Sequence, residues 1–266
     1  MKICNKILLI LFLLILTKCE GDTYNKIDFT ENVTIALAEK FFDFQRKEFF
    51  VNFLPKQNCH CMNDGQLDYS FAIDDNTFDF NLKGIQIPED CKDSYGCPYA
   101  QTNIGALANG TYNINVNIGS SKNKGVLSVT DTAFCLTMTK IENLELIWGH
   151  FRRVFDNTLW GGFCYSTDTE LEMGLSLLDS LNTLGVQPTT LEYGDYFFFT
   201  FFNGKPDLRM YGYVPHYYAN KEIGFIYNYN FSDEKIKNLM DKFKNLSENL
   251  YIKIATGKGS SFYNWR

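Results

Sequence analysis

The chain has 266 residues, of which 45% are hydrophobic and 16% aromatic, with 24 Phe and 16 Tyr. That content can bury a substantial core, so the chain is globular and suits one domain or at most two small ones. A net charge of −6 argues against a nucleic-acid partner held by phosphate neutralisation, which needs a basic face.

Lys2 and Lys6 precede an unbroken apolar run, Ile7 to Leu16, and Thr17-Lys18-Cys19-Glu20-Gly21 follows it. A charged start, a short apolar run and small residues after it describe a signal peptide, here residues 1–21. The run is too short to span a bilayer, so no transmembrane segment is expected after cleavage. A lipoprotein signal ending at Cys19 is the alternative, with Lys18 poorly suited to the position before it. The expected mature chain is a single secreted domain over 22–266, in the extracellular space or a secretory or lysosomal lumen.

Six cysteines remain after cleavage: Cys59, Cys61, Cys91, Cys97, Cys135 and Cys164. An even number in an oxidising compartment makes all six disulfide candidates, with the pairing open. Cys59-His60-Cys61 has a single residue between its cysteines, unlike the paired ligand spacings of zinc modules, so no metal site is expected. Asn32, Asn109, Asn230 and Asn245 each begin an Asn-x-Ser/Thr triplet, the acceptor for N-linked glycans.

Period-two alternation dominates the rest of the chain. Thr34 to Phe44 and Glu48 to Leu54 predict a hairpin around Gln45-Arg46-Lys47. Strands follow at Tyr69–Ile73 and Thr77–Ile87. Next, Tyr112, Ile114, Val116 and Ile118 alternate with asparagines in a half-buried strand. Further strands are expected at Gly125–Thr130 and Phe134–Thr139. Ile141, Leu144, Trp148, Phe151 and Phe155 then fall on one helical face, before a strand from Trp160 to Ser166. A second helix starts at Asp168, carries Leu171, Leu175, Leu178 and Leu181, and stops at Gly185. Asp195–Asn203, Leu208–Val214 and Ile223–Tyr229 are read as strands. Ser232 caps a third helix bearing Ile236, Leu239, Met240, Phe243 and Leu246, and Leu250–Ala255 is the final strand. The expectation is an α+β fold, a curved and mostly antiparallel sheet with about three packed helices, stabilised by disulfides.

The sequence offers few groups for chemistry. His60, His150 and His216 are its three histidines, each read as a surface or structural residue, and no Gly-x-Ser-x-Gly elbow occurs. Asp74-Asp75 and the acidic run from Asp90 to Asp93 lack the ligand spacing of a calcium loop. No catalytic residue, cofactor or metal is assigned.

Four segments resemble, in order, the LolA-like domains of secreted animal proteins, to which the ependymin-related proteins belong. They are Ala38–Phe53, Val126–Lys140, Leu159–Glu170 and Leu191–Phe202. Gly161 and Tyr165 stand where that family carries an Arg and an Asp in the third segment. The resemblance implies a Cys135–Cys164 bridge and a curved sheet around an apolar concavity that accepts a lipid-like ligand. Period alone separates Phe197, Phe199 and Phe201 from Phe198 and Phe202 without saying which set faces inward. Phe71–Cys91 and Ile147–Cys164 are similar to the two active-site blocks of the T2 family of secreted acid ribonucleases. There Trp148, His150, Gly162 and Cys164 match, but Asp74 and Gly161 occupy the two catalytic histidine positions and Phe151 that of the acid. That resemblance implies a catalytically degenerate relative with a Cys91–Cys164 bridge. The reading is therefore a secreted glycoprotein that binds a hydrophobic ligand without catalysis. A degenerate ribonuclease relative and an extracellular interaction or adhesion protein are the alternatives, the last marked by an exposed apolar patch.

Overall fold

The computed structural model describes residues 24–42, 46–91, 95–208, 221–244, 246 and 250–264. Two sheets face each other in the N-terminal half. The larger has seven strands: β1 (Tyr24–Ile27), β4 (Gln66–Asp74), β5 (Thr77–Pro88), β7 (Gly110–Ile118), β8 (Ser121–Val129), β9 (Ala133–Lys140) and β11 (His150–Arg152). Facing it, β10 (Leu144–Ile147), β2 (Val33–Phe42), β3 (Arg46–Pro55) and β6 (Ala100–Gly105) form a four-stranded sheet in that order. Alternation supplies both inner faces: Val33, Ile35 and Leu37 of β2 and Phe49, Val51 and Phe53 of β3 meet Phe78, Phe80, Ile114, Val116, Leu127, Phe134 and Leu136. Between the sheets, Phe49 lies edge-on to Phe134 at 5.2 Å and Phe53 to Phe80 at 5.0 Å.

The C-terminal half is built on a second core. Its five-stranded sheet runs β13 (Gln187–Pro188), β17 (Lys221–Asn228), β12 (Thr158–Tyr165), β18 (Tyr251–Thr256) and β19 (Ser261–Tyr263). Helices α1 (Asp168–Leu184) and α2 (Asp233–Phe243) cover one face. β12 is buried on both faces, because a three-stranded sheet covers the other side: β14 (Gly194–Tyr196), β15 (Phe199–Phe202) and β16 (Lys205–Asp207). This small sheet abuts β11 on one side and β17 on the other, so it bridges the two halves.

Helix α1 starts as its sequence dictates. Thr167 accepts from the Glu170 amide, the Glu170 carboxylate accepts from the Thr167 amide, and Gly185 ends the helix at φ 94°. Its buried face is centred on Gly174, Leu177 and Leu181, whereas Leu175, expected on the apolar stripe, is exposed. In α2, Ile236, Leu239, Met240 and Phe243 are buried as expected, and Leu246 lies beyond the helix and exposed. Ser232 occupies the N-cap position but makes no side-chain capping bond. The neighbouring Asp233 ties this helix start to the sheet, accepting from the Tyr229, Thr256 and Ser260 hydroxyls.

Among the described residues the molecule is mostly β, with 55% of them in strands and two helices. The helix expected over 141–155 is instead β10, a corner at Trp148-Gly149, and β11. Leu144 and Phe151 are buried because they enter the core from opposite sheets, while Ile141, Trp148 and Phe155 remain exposed. Trp148 takes φ 51° as the chain switches sheets, which is how the corner of a packed sheet pair is made. Two strand pairs, β5 with β7 and β10 with β2, are parallel in an otherwise antiparallel assembly. The strand expected over Asp195–Asn203 is a hairpin turning at Phe197-Phe198. Of the strand expected over Leu208–Val214, residues 209–214 lie outside the described residues, as does segment 1–21, expected to be a signal peptide.

Candidate functional site

Cysteine pairing builds the most distinctive local structure. Cys59 bonds to Cys97 and Cys61 to Cys91, so the second bridge nests inside the first. Together they clamp the base of the β4–β5 hairpin to the β3–β6 edge. Cys135 and Cys164 are in neither bridge. They lie on β9 and β12, and Cys91 is bonded to Cys61, so neither the Cys135–Cys164 nor the Cys91–Cys164 pairing implied by the resemblances forms. Cys61, Asp64 and Cys91 gather closely, but the two sulfurs are bonded to each other and are not available as thiolate ligands.

Several large apolar and aromatic side chains on the segments that the bridges join are exposed. Leu54, Met62, Tyr95 and Tyr99 are all exposed, Tyr95 to 81%. The chain around them is held by the bridges and by the Cys61 amide donating to the Gly96 carbonyl at 3.1 Å. Met62 lies over Gly96, where any side chain would meet its sulfur. Phe53 pairs with Ala100, so the next residues outward, Leu54 and Tyr99, share one face of the β3–β6 edge. Sequence reasoning misses this group because it assigns apolar residues to the core.

Cavities elsewhere are open and partly polar. One of about 400 Å³ runs between the helices, past Ser180, Leu184, Lys235, Leu239 and Lys242. Another, about 630 Å³, sits where the halves meet, beside Lys47, Asp131, Arg153 and Asp156. At that junction Arg153 donates to buried Glu39 at 2.7 and 3.0 Å and to the Thr130 carbonyl, and its guanidinium lies over Phe49. Lys47 donates to the Val154 carbonyl at 2.6 Å and to Asp156 at 2.8 Å. Lys47 thus ties β3 to the segment that enters the second core, while Arg153 is engaged within the N-terminal half.

The other residues singled out by the sequence are dispersed. His60 is exposed between the bridges at φ 51°, and His150 is exposed on β11 opposite Cys135. His216 and Asp93 lie outside the described residues. Asp74-Asp75 forms the exposed β4–β5 turn, and Asp90 an exposed turn before Cys91. Phe199 and Phe201 face the core under β12; Phe198 lies on Trp160 and Phe197 on Phe151 of the N-terminal half. Phe202 is exposed. Asn32, Asn109 and Asn230 are exposed, and Asn245 lies outside the described residues. Burial holds the Lys253 ammonium pKa down at about 8, with the side chain 4.8 Å from the Tyr263 ring. Burial also raises the Tyr229 hydroxyl well above its usual range. Among the described residues no helix is long and apolar enough to cross a membrane. No family model, curated protein or solved structure matches the chain.

Proposed function

We propose that the protein is a secreted, non-catalytic recognition protein whose partner meets the disulfide-clamped corner. The observation that carries this reading is the exposure of Leu54, Met62, Tyr95 and Tyr99 on segments joined by two disulfides. Tyrosines offer large amphipathic contact area at low entropic cost, and two bridges remove most of the loop entropy that binding would otherwise consume. The sandwich interior, in contrast, is occupied by its own rings, including Phe49, Phe53, Phe80 and Phe134. Secretion and glycosylation belong to the same reading, supported by the charged-then-apolar leader, the two disulfides and three exposed acceptor asparagines. The lipid-like ligand implied by the LolA-like resemblance is the second reading, favoured by the Met and Leu character of the same corner.

The test uses protein secreted from eukaryotic cells and purified without detergent. A photo-crosslinker placed at Tyr95, with one at exposed Glu172 of α1 as control, is presented to intact cells of the native source. Saturable labelling from position 95 alone, competed by wild type but not by the double variant Tyr95→Ser/Tyr99→Ser, supports the proposal. Equal labelling from both positions overturns it. Mass spectrometry of organic extracts separates the second reading, because a stoichiometric lipid lost in the double variant makes the corner a ligand site.

A further inference from the structure

The outer face of the seven-stranded sheet carries an ordered amide stripe. In β7, Thr111, Asn113, Asn115 and Asn117 alternate with the buried Ile114, Val116 and Ile118, so they share the solvent face. Parallel register sets them against Thr77, Asp79 and Asn81 of β5. Asn115 donates to Asp79 at 2.7 Å and Asn117 to Asn81 at 2.7 Å, while Asn113 reaches Thr77 at 3.5 Å. On the other side, Lys122 and Lys124 of β8 stand opposite Asn117 and Asn115. Each amide used once still has a donor or acceptor to offer outward, in a fixed orientation.

Asn109 lies in the bend that immediately precedes β7, exposed and next to the strand that carries the stripe. Its Nδ2 donates to Asp131 at 2.6 Å, which fixes the plane of the amide. That bond uses one of the two Nδ2 hydrogens and leaves the other for replacement by a sugar. Asn109-Gly-Thr111 is also an acceptor triplet for N-glycosylation.

We infer that an N-linked glycan on Asn109 folds back along β7 and docks on the stripe formed by Asn113, Asn115 and Asn117. The inference rests on the secretory reading above, because the glycan must first be attached there. Attachment replaces one Nδ2–H bond by a bond to C1 of the first sugar. The pyrophosphate of a lipid-linked oligosaccharide donor leaves with the bonding electrons, and the proton passes to the transferase's base. The Asp131 hydrogen bond survives through the remaining N–H and sets the direction in which the sugar leaves the protein. From Asn113 to Asn117 the stripe extends about 13 Å along β7, long enough to meet two or three successive sugars. The amides and the Asp79 carboxylate on this one face offer donors and acceptors to the vicinal hydroxyls of a glycan. Their mutual hydrogen bonds mean that little side-chain freedom is lost on contact.

The experiment is site-resolved release by a peptide-N-glycosidase acting on native secreted protein, with Asn32 and Asn230 as internal exposed controls. Glycan is expected on Asn109, leaving about tenfold more slowly than from the controls, a docking free energy of about 1.4 kcal/mol. Asn115→Ala/Asn117→Ala is expected to abolish the difference. Hydrogen exchange supplies a measurement independent of that variant: Asn109→Gln leaves the stripe intact and raises exchange in the Asn113–Asn117 segment. Equal release at all occupied sites, or unchanged exchange in Asn109→Gln, overturns docking while leaving glycosylation in place. An empty Asn109 beside an occupied Asn32 overturns the inference alone. Empty sites throughout overturn the secretory reading with it.

Discussion

Removing the nested bridges one at a time and then together should give a more-than-additive loss of stability. The inner bridge spans a separation of 30 residues and the outer one of 38. In the chain-entropy treatment the inner bridge alone restricts the unfolded state by about 3.7 kcal/mol at 25 °C, and the outer alone by about 3.9. With the inner bridge already closed, the outer one closes a ring of only about ten residues and adds about 2.7 kcal/mol. Cys59→Ala/Cys97→Ala and Cys61→Ala/Cys91→Ala should therefore each cost about 2.5 kcal/mol, and the quadruple variant about 6. Either remaining bridge still confines the β4–β5 hairpin, which is why a single loss is partly masked. Equilibrium unfolding in urea, monitored by aromatic fluorescence, reads the cycle directly. Costs that simply add, or one pair that accounts for the entire loss, would refute closure of nested loops as the source of the stabilisation. Local packing, above all around fully buried Cys61, would then be the source.

Three further outcomes follow from the same structure. Glu39→Ala leaves the mostly buried Arg153 without its carboxylate, and should cost about 3 kcal/mol in urea titration; a loss below about 1 would mean that the pair is dispensable. Lys253 has a folded-state pKa of about 8 against 10.5 in a free chain. The unfolded chain binds the extra proton between those values, so stability should rise as pH climbs through that window and be level below it. The gain is on the order of 2 kcal/mol once hydration of the ammonium tip is allowed for, and Lys253→Met should abolish the rise. In α1, a Cβ on Gly174 would lie 2.2 Å from the Phe163 ring. Gly174→Ala gains about 1 kcal/mol of helix propensity but forces overpacking that costs about 1–3, so a net lowering of the thermal midpoint is expected.

The chain announces its elements more clearly than their partners. Alternation of Tyr112, Ile114, Val116 and Ile118 with asparagines marks β7 because one face is core and the other solvent. The hairpin of β2 and β3 and the start and stop of α1 are legible for similarly local reasons: side-chain period, a capping box and a C-terminal glycine. Segment 141–155 misleads because its apolar spacings of three and four residues arise from two short strands that insert Leu144 and Phe151 into one core from opposite sheets. Gly149 is the available warning, since a helix interior disfavours it. The parallel pairing of β5 with β7 leaves no local signature, as it is decided by which strands the intervening chain carries to the same sheet. Cys135 and Cys164 look like partners only if their strands are taken to be neighbours.

The corner proposed for recognition is hidden for a related reason, and the bridges explain how it holds a shape. Between β3 and β4, and between β5 and β6, the chain leaves the sheets, and among the described residues the backbone hydrogen bonds there include Lys56 to Asn32, Cys61 to Gly96 and Cys91 to Pro88. Covalent links take the place of a ladder there. Exposed Tyr95, with Cys97 two residues on, owes its position mainly to the Cys59–Cys97 bridge, whereas the sheets owe theirs to the aromatic core. The two dependences separate experimentally. Cys59→Ala/Cys97→Ala should weaken crosslinking from position 95 under conditions where fluorescence still reports a folded core. Recognition that survives loss of this bridge undiminished would place the binding surface elsewhere on the molecule.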